Sequence, residues 1–401
     1  LSPLAVVFLI VFLDLLGVGI LTPVFPFLIR QFRADAMTVG LMALSFSAAQ
    51  FLASPVLGAL GDRYGRRPVL IVSLFGTAVG YFLFGWAGAL WIMYLSRVID
   101  GVTGGNISTA QAYIADISKP EDRAKNFGLI GAAFGLGFIV GPALGGLLAK
   151  FGLAAPAFAA GALSLVTMAA TWLFLPESLP PERRTQSPFH WREIGPLRQI
   201  FRALARPELV WALLAIFAAN FAMAGLQSNF AVFAFDRFAV GPGQIGLVFA
   251  SIGATGAITQ GVLMRRFSMR FQPVSLSVAG LSIAAAGFLG IALAPAVWAI
   301  YPACMAIALG MGLSGPSLTG LLSSNVAVVE QGSVLGVSMS LASLARVIGP
   351  VAAGGLYDRV RPDSPYVAGA LAMLAGVWLI SSKRPAPAAS TPSSRVVPSG
   401  R

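Results

Sequence analysis

Charge is what this chain has least of. Only 10% of its 401 residues are Asp, Glu, Lys or Arg, against about 25% in soluble domains. A water-soluble fold of this composition would leave large apolar patches bare, so lipid is the expected solvent. Cysteine and histidine each occur once, as Cys304 and His190. A single cysteine excludes an intrachain disulfide, and the two residues are too few for a His/Cys metal cluster. Cys304 lies in an apolar run and reads as a buried structural thiol. No Gly-x-x-x-x-Gly-Lys-[Ser/Thr] loop is present, which leaves ATP-driven transport unsupported. No basic n-region precedes the first apolar run, and Asp14 interrupts it, so it does not read as a secretory leader. No enzyme constellation, cofactor motif or metal site stands out.

What the chain has is apolar length: 57% of residues are hydrophobic, with a mean hydropathy of +0.82. Runs of about 20 apolar residues, broken by charge or Gly/Pro clusters, predict twelve membrane helices. The first six fall near 4–29, 37–60, 68–87, 90–114, 126–149 and 153–175. The second six fall near 208–234, 243–264, 273–294, 296–322, 332–356 and 365–382. The predicted fold is all-α, with a six-helix bundle over 1–175, a central loop over 176–207 and a second six-helix bundle over 208–382. The tail 383–401 is rich in Pro, Ala and Ser and predicts disorder.

The net charge of +12 is scattered through short loops. A nucleic-acid binder would collect it on one face, so the scatter points to topology instead. With both termini inside, 19 Lys/Arg fall in inner segments and 6 in outer ones, which predicts cytoplasmic termini. The halves also read as degenerate repeats. Gly58-x-Leu-x-Asp-Arg is echoed by Gly261-x-Leu-x-Arg-Arg. Gly141-Pro142 with Gly145-Gly146 is echoed by Gly349-Pro350 with Gly354-Gly355. Parallel halves around a midplane site are a transporter architecture.

Ionisable residues deep in a span are costly and therefore functional candidates. They are Asp14 in the first span, Arg97 and Asp100 in the fourth, and Arg346 in the eleventh. The bland alternative for each is a structural ion pair. At 100° per residue, Arg97, Asp100, Gly104, Ser108 and Gln111 share a narrow arc of the fourth span. Such a stripe is expected to line a wet cavity, with Asp100 switching between a paired, ionised state and a protonated one. Asp14, between apolar residues, reads as a proton carrier or a counter-charge for a cationic substrate. Asn220, Gln227 and Gln260 are expected either to complete the cavity or to bond between helices.

Three motifs carry a family resemblance. Gly58-Ala-Leu-Gly-Asp62-Arg63-Tyr-Gly65-Arg66-Arg67-Pro-Val-Leu70 places three cations, one acid and three glycines between two apolar runs, which predicts a tight cytoplasmic turn. Leu95-Ser-Arg97-Val-Ile-Asp100-Gly101 lies in the fourth span. Gly128-(x8)-Gly137-(x3)-Gly141-Pro142-(x2)-Gly145-Gly146 fills the fifth. With Pro23-Val-Phe-Pro26 and the stretch from Gly101 through Asp116, these resemble the twelve-helix drug:proton antiporters of the major facilitator superfamily, in their tetracycline-efflux-like branch. The match covers nearly all of the N-terminal half and is weak beyond it.

The resemblance implies a cytoplasmic latch made by Gly58, Asp62, Arg63, Gly65, Arg66, Arg67 and Asp116, with Asp62 meeting the N-terminal end of the eleventh helix. It implies proton transfer at Arg97, and antiport through Gly137, Gly141, Pro142, Gly145 and Gly146. Tetracycline exporters of the branch carry an acid in the third helix before a tyrosine. Here the pair is Gly80-Tyr81, which puts tetracycline itself in question as the substrate. The expected function is proton-driven export of small lipophilic compounds by a monomer in a bacterial inner membrane, with no cofactor and no nucleic acid. The alternatives are a proton symporter or facilitator for a metabolite, a lipid-type exporter and, last, a non-transporting receptor or scaffold.

Overall fold

The computed structural model describes residues 3–33, 35–104, 106–118, 123–184, 196–326 and 330–382. His190 and the tail 383–401 lie outside them. The described residues form α-helices with short 3₁₀ and π turns and no strand. In the N-terminal half these are α1 (Pro3–Leu21), α2 (Phe25–Arg30), α3 (Ala36–Tyr64), α4 (Arg66–Gly85), α5 (Leu90–Thr103), α6 (Asn106–Ile117), α7 (Arg123–Leu148) and α8 (Ala155–Phe174). After a short α9 (Pro196–Leu204) come α10 (Val210–Phe238), α11 (Pro242–Ile258), a π turn (Thr259–Leu263), α12 (Met264–Ser268), α13 (Pro273–Ala292), α14 (Val297–Ser324), α15 (Gln331–Arg359) and α16 (Ser364–Ser381).

Among the described residues, ten helical segments are long and apolar enough to cross a membrane. The other two predicted spans correspond to α7 and to the α5–α6 pair. Helix ends follow local chemistry. Proline opens α8, α11, α13 and α16, where its missing N–H costs nothing. Asp35 caps α3 by accepting from the Thr38 N–H at 2.7 Å. The first span breaks at 22–24, next to Pro23.

Three sequence expectations change. The tight turn at 61–67 is mostly helix: α3 continues to Tyr64, α4 starts at Arg66, and Gly65 alone turns the chain with φ +107°. A left-handed backbone of this kind favours glycine. The fourth span is not one helix, because α5 ends at Gly104. The central loop contains α9, whose Ile200 and Ala203 are buried while Phe201 is exposed.

Within the halves, α1 packs on α7 and α8, α4 on α5 and α8, α10 on α15 and α16, and α13 on α14 and α16. The halves meet mainly through two helix pairs, α3 with α15 and α7 with α11. Both seams are tight at the end of the bundle that carries Arg30. A Cβ on Gly354 would lie 2.7 Å from the Ala36 carbonyl, and one on Gly146 would lie 2.9 Å from that of Pro242. Toward the opposite end, which carries Gly65, the same helices part. A Cβ on Gly58 of α3, Gly256 of α11 or Gly336 of α15 would meet nothing within 4 Å. Among the described residues, the two seams are closed at the Arg30 end and open toward the Gly65 end.

Candidate functional site

The charged centre of the N-terminal half is an ion pair on α5. Arg97 Nη1 lies 3.1 Å from Asp100 Oδ2, and both side chains are almost wholly buried. Three residues of spacing puts them on one helix face. The Arg97 guanidinium also sits over three rings, 4.5 Å from the centroid of Phe84, 5.7 Å from Tyr81 and 6.0 Å from Phe25. Phe25 and Phe84 stack on each other at 5.3 Å. Such ring faces attract a desolvated cation. Among the described residues, Nε and Nη2 of Arg97 have no hydrogen-bond acceptor, and the cation is held by one carboxylate and the aromatic cage. Tyr81 also packs against α1, where a Cβ on Gly17 would lie 3.6 Å from its ring. Asp14 itself is half-buried on α1.

The expected five-residue stripe does not run on. The break at Gly104 ends it, and the Gly104 carbonyl accepts from Gln50 Nε2 at 2.7 Å. Beyond it, Ser108 is exposed and Gln111 half-buried on α6. A helix needs about 3.6 residues per turn without interruption to keep five positions on one arc, and glycine at a helix end removes that condition.

In the C-terminal half, α10, α14 and α15 enclose a cavity of about 200 Å³ lined by Asn220, Ser314, Thr319, Ser338, Met311 and Met339 among others. The Asn220 amide donates to the Ile216 carbonyl at 2.9 Å. Gln227 on α10 and Gln260 in the π turn are exposed and do not line this cavity. Arg346 is exposed on α15, one turn beyond the lining residue Ala342, and donates to Ser343 Oγ at 3.0 Å.

The fifth-span glycines serve two neighbours. Gly137, Gly141 and Gly145 face α1, where added Cβ atoms would run into Leu15, Gly19 and the Ile20 carbonyl. Gly146 and Pro142 face α11 at Pro242, Gly243 and Gly246. The motif therefore joins α7 to its own half and to the other half at once.

At the Gly65 end, Arg66 is buried and gathers the latch residues. It lies 2.5 Å from Asp62 and 3.2 Å from Asp116, and donates to the Gly58 carbonyl at 3.4 Å. Among the described residues, the ion-pair partner of Asp62 is Arg66, in its own half. Arg67 donates to the Trp172 carbonyl, and Arg63 lies over the Tyr64 ring at 5.7 Å. A residue that sequence reasoning missed completes the cluster. Glu177 accepts from the backbone N–H groups of Arg66 (2.9 Å) and Arg67 (3.2 Å) and so caps α4. Its only sequence signal is an acid just after the sixth span.

The Arg30 end is sealed by charge across the halves. Arg30 pairs with Asp236 of α10, and Tyr357 of α15 donates to the same carboxylate at 2.7 Å. Asp358 accepts from the N–H groups of Ala36 (3.1 Å) and Met37 (2.7 Å) at the start of α3. Among the described residues, no group of three His, Cys, Asp or Glu could hold a metal.

The family model described as Major Facilitator Superfamily matches residues 7–350. The class C tetracycline resistance protein of Escherichia coli is 35% identical over 349 residues, covering 86% of this chain and 87% of that protein. Multidrug resistance protein 1 of Bacillus subtilis (strain 168) is 30% identical over 377 residues, covering 94% and 95%. The crystal structure of the human organic anion transporter MFSD10 (TETRAN) superposes with a TM-score of 0.71 at 27% identity, covering 94% of this chain and 98% of that one. Helical architecture, paired half-to-half seams and matches over most of the length lead to one conclusion: this chain belongs to the major facilitator superfamily and is a multi-pass membrane transporter, not an enzyme.

Proposed function

We propose that the chain is a proton-coupled exporter of small, largely apolar organic compounds that works by alternating access as a monomer. Its termini and the Gly65 end face the cytoplasm of a bacterial inner membrane, so the arrangement described above is open to the cytoplasm. The charge bias of the loops supports that orientation. The names of the tetracycline and multidrug resistance relatives support export of drug-like compounds. The absent acid at Gly80 favours a compound other than tetracycline.

One observation carries the reading: Asp100 and Arg97 form a buried pair in the middle of a membrane-spanning bundle. A buried charge is retained at such cost when it has work to do. Protonation of Asp100 removes one partner, while the rings of Phe84, Tyr81 and Phe25 still hold Arg97. The carboxyl can thus take and release a proton without expelling the cation. Asp14, half-buried on α1, is the second carboxyl of the proton path. Each proton returning inward supplies about 2.3 kcal/mol per 100 mV of membrane potential.

The test is compound-driven proton flux in liposomes loaded with a pH dye, with a membrane potential imposed. Lipophilic cations, tetracyclines and neutral drugs are added to wild type, Asp14→Asn and Asp100→Asn. Proton flux that requires a compound, runs opposite to it and disappears in Asp100→Asn is expected. Flux in the same direction makes the protein a symporter. Compound movement with no proton movement in any variant makes it a facilitator and ends the proton-coupling reading.

A further inference from the structure

Arg346 stands in the middle of α15, and among the described residues no carboxylate pairs with it. Among the described residues its one bonded partner is Ser343. From residue 209 to 329 and from 331 to 356, the other charged residues lie at helix ends or in turns: Asp236, Arg237, Arg265, Arg266 and Arg270. Arg346 is thus the single mid-span charge of the C-terminal half. A cation at that depth is costly unless it faces water or an anion.

Helical phase shows where it points. At 100° per residue, Arg346 lies within about 20° of Met339 and about 40° of both Ala342 and Pro350. Met339 and Ala342 line the cavity between α10, α14 and α15. Pro350 seals against Gly40 of α3, and Gly349 seals against α10, where an added Cβ would lie 2.8 Å from the Phe221 carbonyl. Arg346 therefore occupies the inward face of α15, one turn beyond the cavity lining and one turn short of the seal. The side chain is exposed there, on the face that carries Met339 and Ala342 of the cavity lining.

We propose that Arg346 is an anion-binding subsite, and that the transported compounds carry one acidic group (a carboxylate, enolate or phenolate) on an apolar body. The proposal rests on the export reading above and names its substrate class. The guanidinium presents a planar fork that suits a carboxylate. Met311, Met339 and Leu318 offer soft apolar contact for the body, and Asn220 and Thr319 offer neutral polar contacts. Asp100 cannot compete for Arg346, because Arg97 holds it in the other half. Export of an anion against an entering proton moves two charges in the same electrical sense, so the membrane potential acts on both.

The experiment uses the full chain, purified in detergent, with tritiated indomethacin (an apolar carboxylate) and its uncharged amide as probes. Equilibrium binding is measured at pH 7 on wild type, Arg346→Lys and Arg346→Gln, each checked for monodispersity and melting temperature. Wild type is expected to prefer the acid over the amide. Arg346→Gln is expected to lose at least tenfold in affinity for the acid, with the amide within about twofold, and Arg346→Lys to keep most of the preference. Equal loss of both probes in Arg346→Gln, an unchanged affinity for the acid, or a wild type that does not prefer the acid overturns the proposal. Binding is read without any proton gradient, so a failure of proton coupling in liposomes leaves this result standing, and the reverse holds as well.

Discussion

Gly80 and Asp100 occupy one shared space. A Cβ on Gly80 of α4 would lie 2.9 Å from the Asp100 Cβ of α5, with the Ser96 carbonyl at 3.2 Å. The helices approach this closely because residue 80 has no side chain, and the carboxylate of Asp100 stands beside it. The glycine before Tyr81, noted in the sequence, thus leaves room for the Asp100 side chain of the next helix.

The shared space predicts a swap. Gly80→Asp alone overpacks the contact and is expected to destabilise by about 1–3 kcal/mol. Asp100→Gly alone is expected to abolish compound-dependent proton flux. The double variant returns one carboxylate to the space and is expected to recover part of the flux. Thermal melting and liposome flux on the three proteins check this. A double variant no better than its worse parent would show that the two positions are not interchangeable.

Asp358 ties α15 to the start of α3 through two backbone N–H groups, where the helix dipole adds to the attraction. Asp358→Ala is expected to weaken the outer seal by about 1–2 kcal/mol, roughly a tenfold shift toward the outward-open state. Ser343→Cys gives a reporter beside the cavity, since Cys304 is buried. Faster labelling of that cysteine by an impermeant maleimide from the outer side is the expected result in Asp358→Ala.

Asp35 caps the same helix start. Its partial burial works against the charge, but hydrogen bonds from the Thr38 hydroxyl and N–H, together with Arg33, outweigh it and hold the carboxyl below its usual range. A lowered folded-state value means stability that is present above the unfolded carboxylate range and is lost as pH falls through the folded value. Asp35→Ala is expected to cost about 1 kcal/mol at pH 7, and the gap from wild type is expected to close below about pH 4. Melting curves across pH 3–7 measure it.

Gly145 and Gly135 are on one helix and differ in surroundings. A Cβ on Gly145 would enter the Ile20 carbonyl, whereas one on Gly135 meets only the Ala257 methyl at 4.0 Å. Gly145→Ala is expected to lower stability by about 1–3 kcal/mol and to impair flux. Gly135→Ala is expected to be neutral or stabilising by up to about 1 kcal/mol, since alanine favours helix. Similar losses for both would remove the close-packing explanation of the motif.

Glu177→Gln keeps one carbonyl acceptor for the α4 N–H groups, turns the other oxygen into an NH2 donor and removes the charge. It is expected to cost less than Glu177→Ala, which leaves those groups without their carboxylate cap, a loss of about 1–2 kcal/mol. Detergent melting temperatures of the two variants check the order.

Length and apolarity of the spans were legible in the sequence because transfer into lipid is a property of each segment by itself. The same holds for Asp14, Arg97, Asp100 and Arg346, whose cost in a span does not depend on knowing their neighbours. The glycine spacing of the fifth span was also legible, but not that one face meets α1 and the other α11. The cage around Arg97, the cap from Glu177, the seal at Asp358 and the meaning of Gly80 were all decided by tertiary structure. Each depends on backbones far apart in sequence coming within one side chain's reach, and no local pattern encodes that approach. Even the polar stripe is interrupted in this way: its helix ends at Gly104, whose carbonyl meets Gln50 of α3, fifty-four residues away.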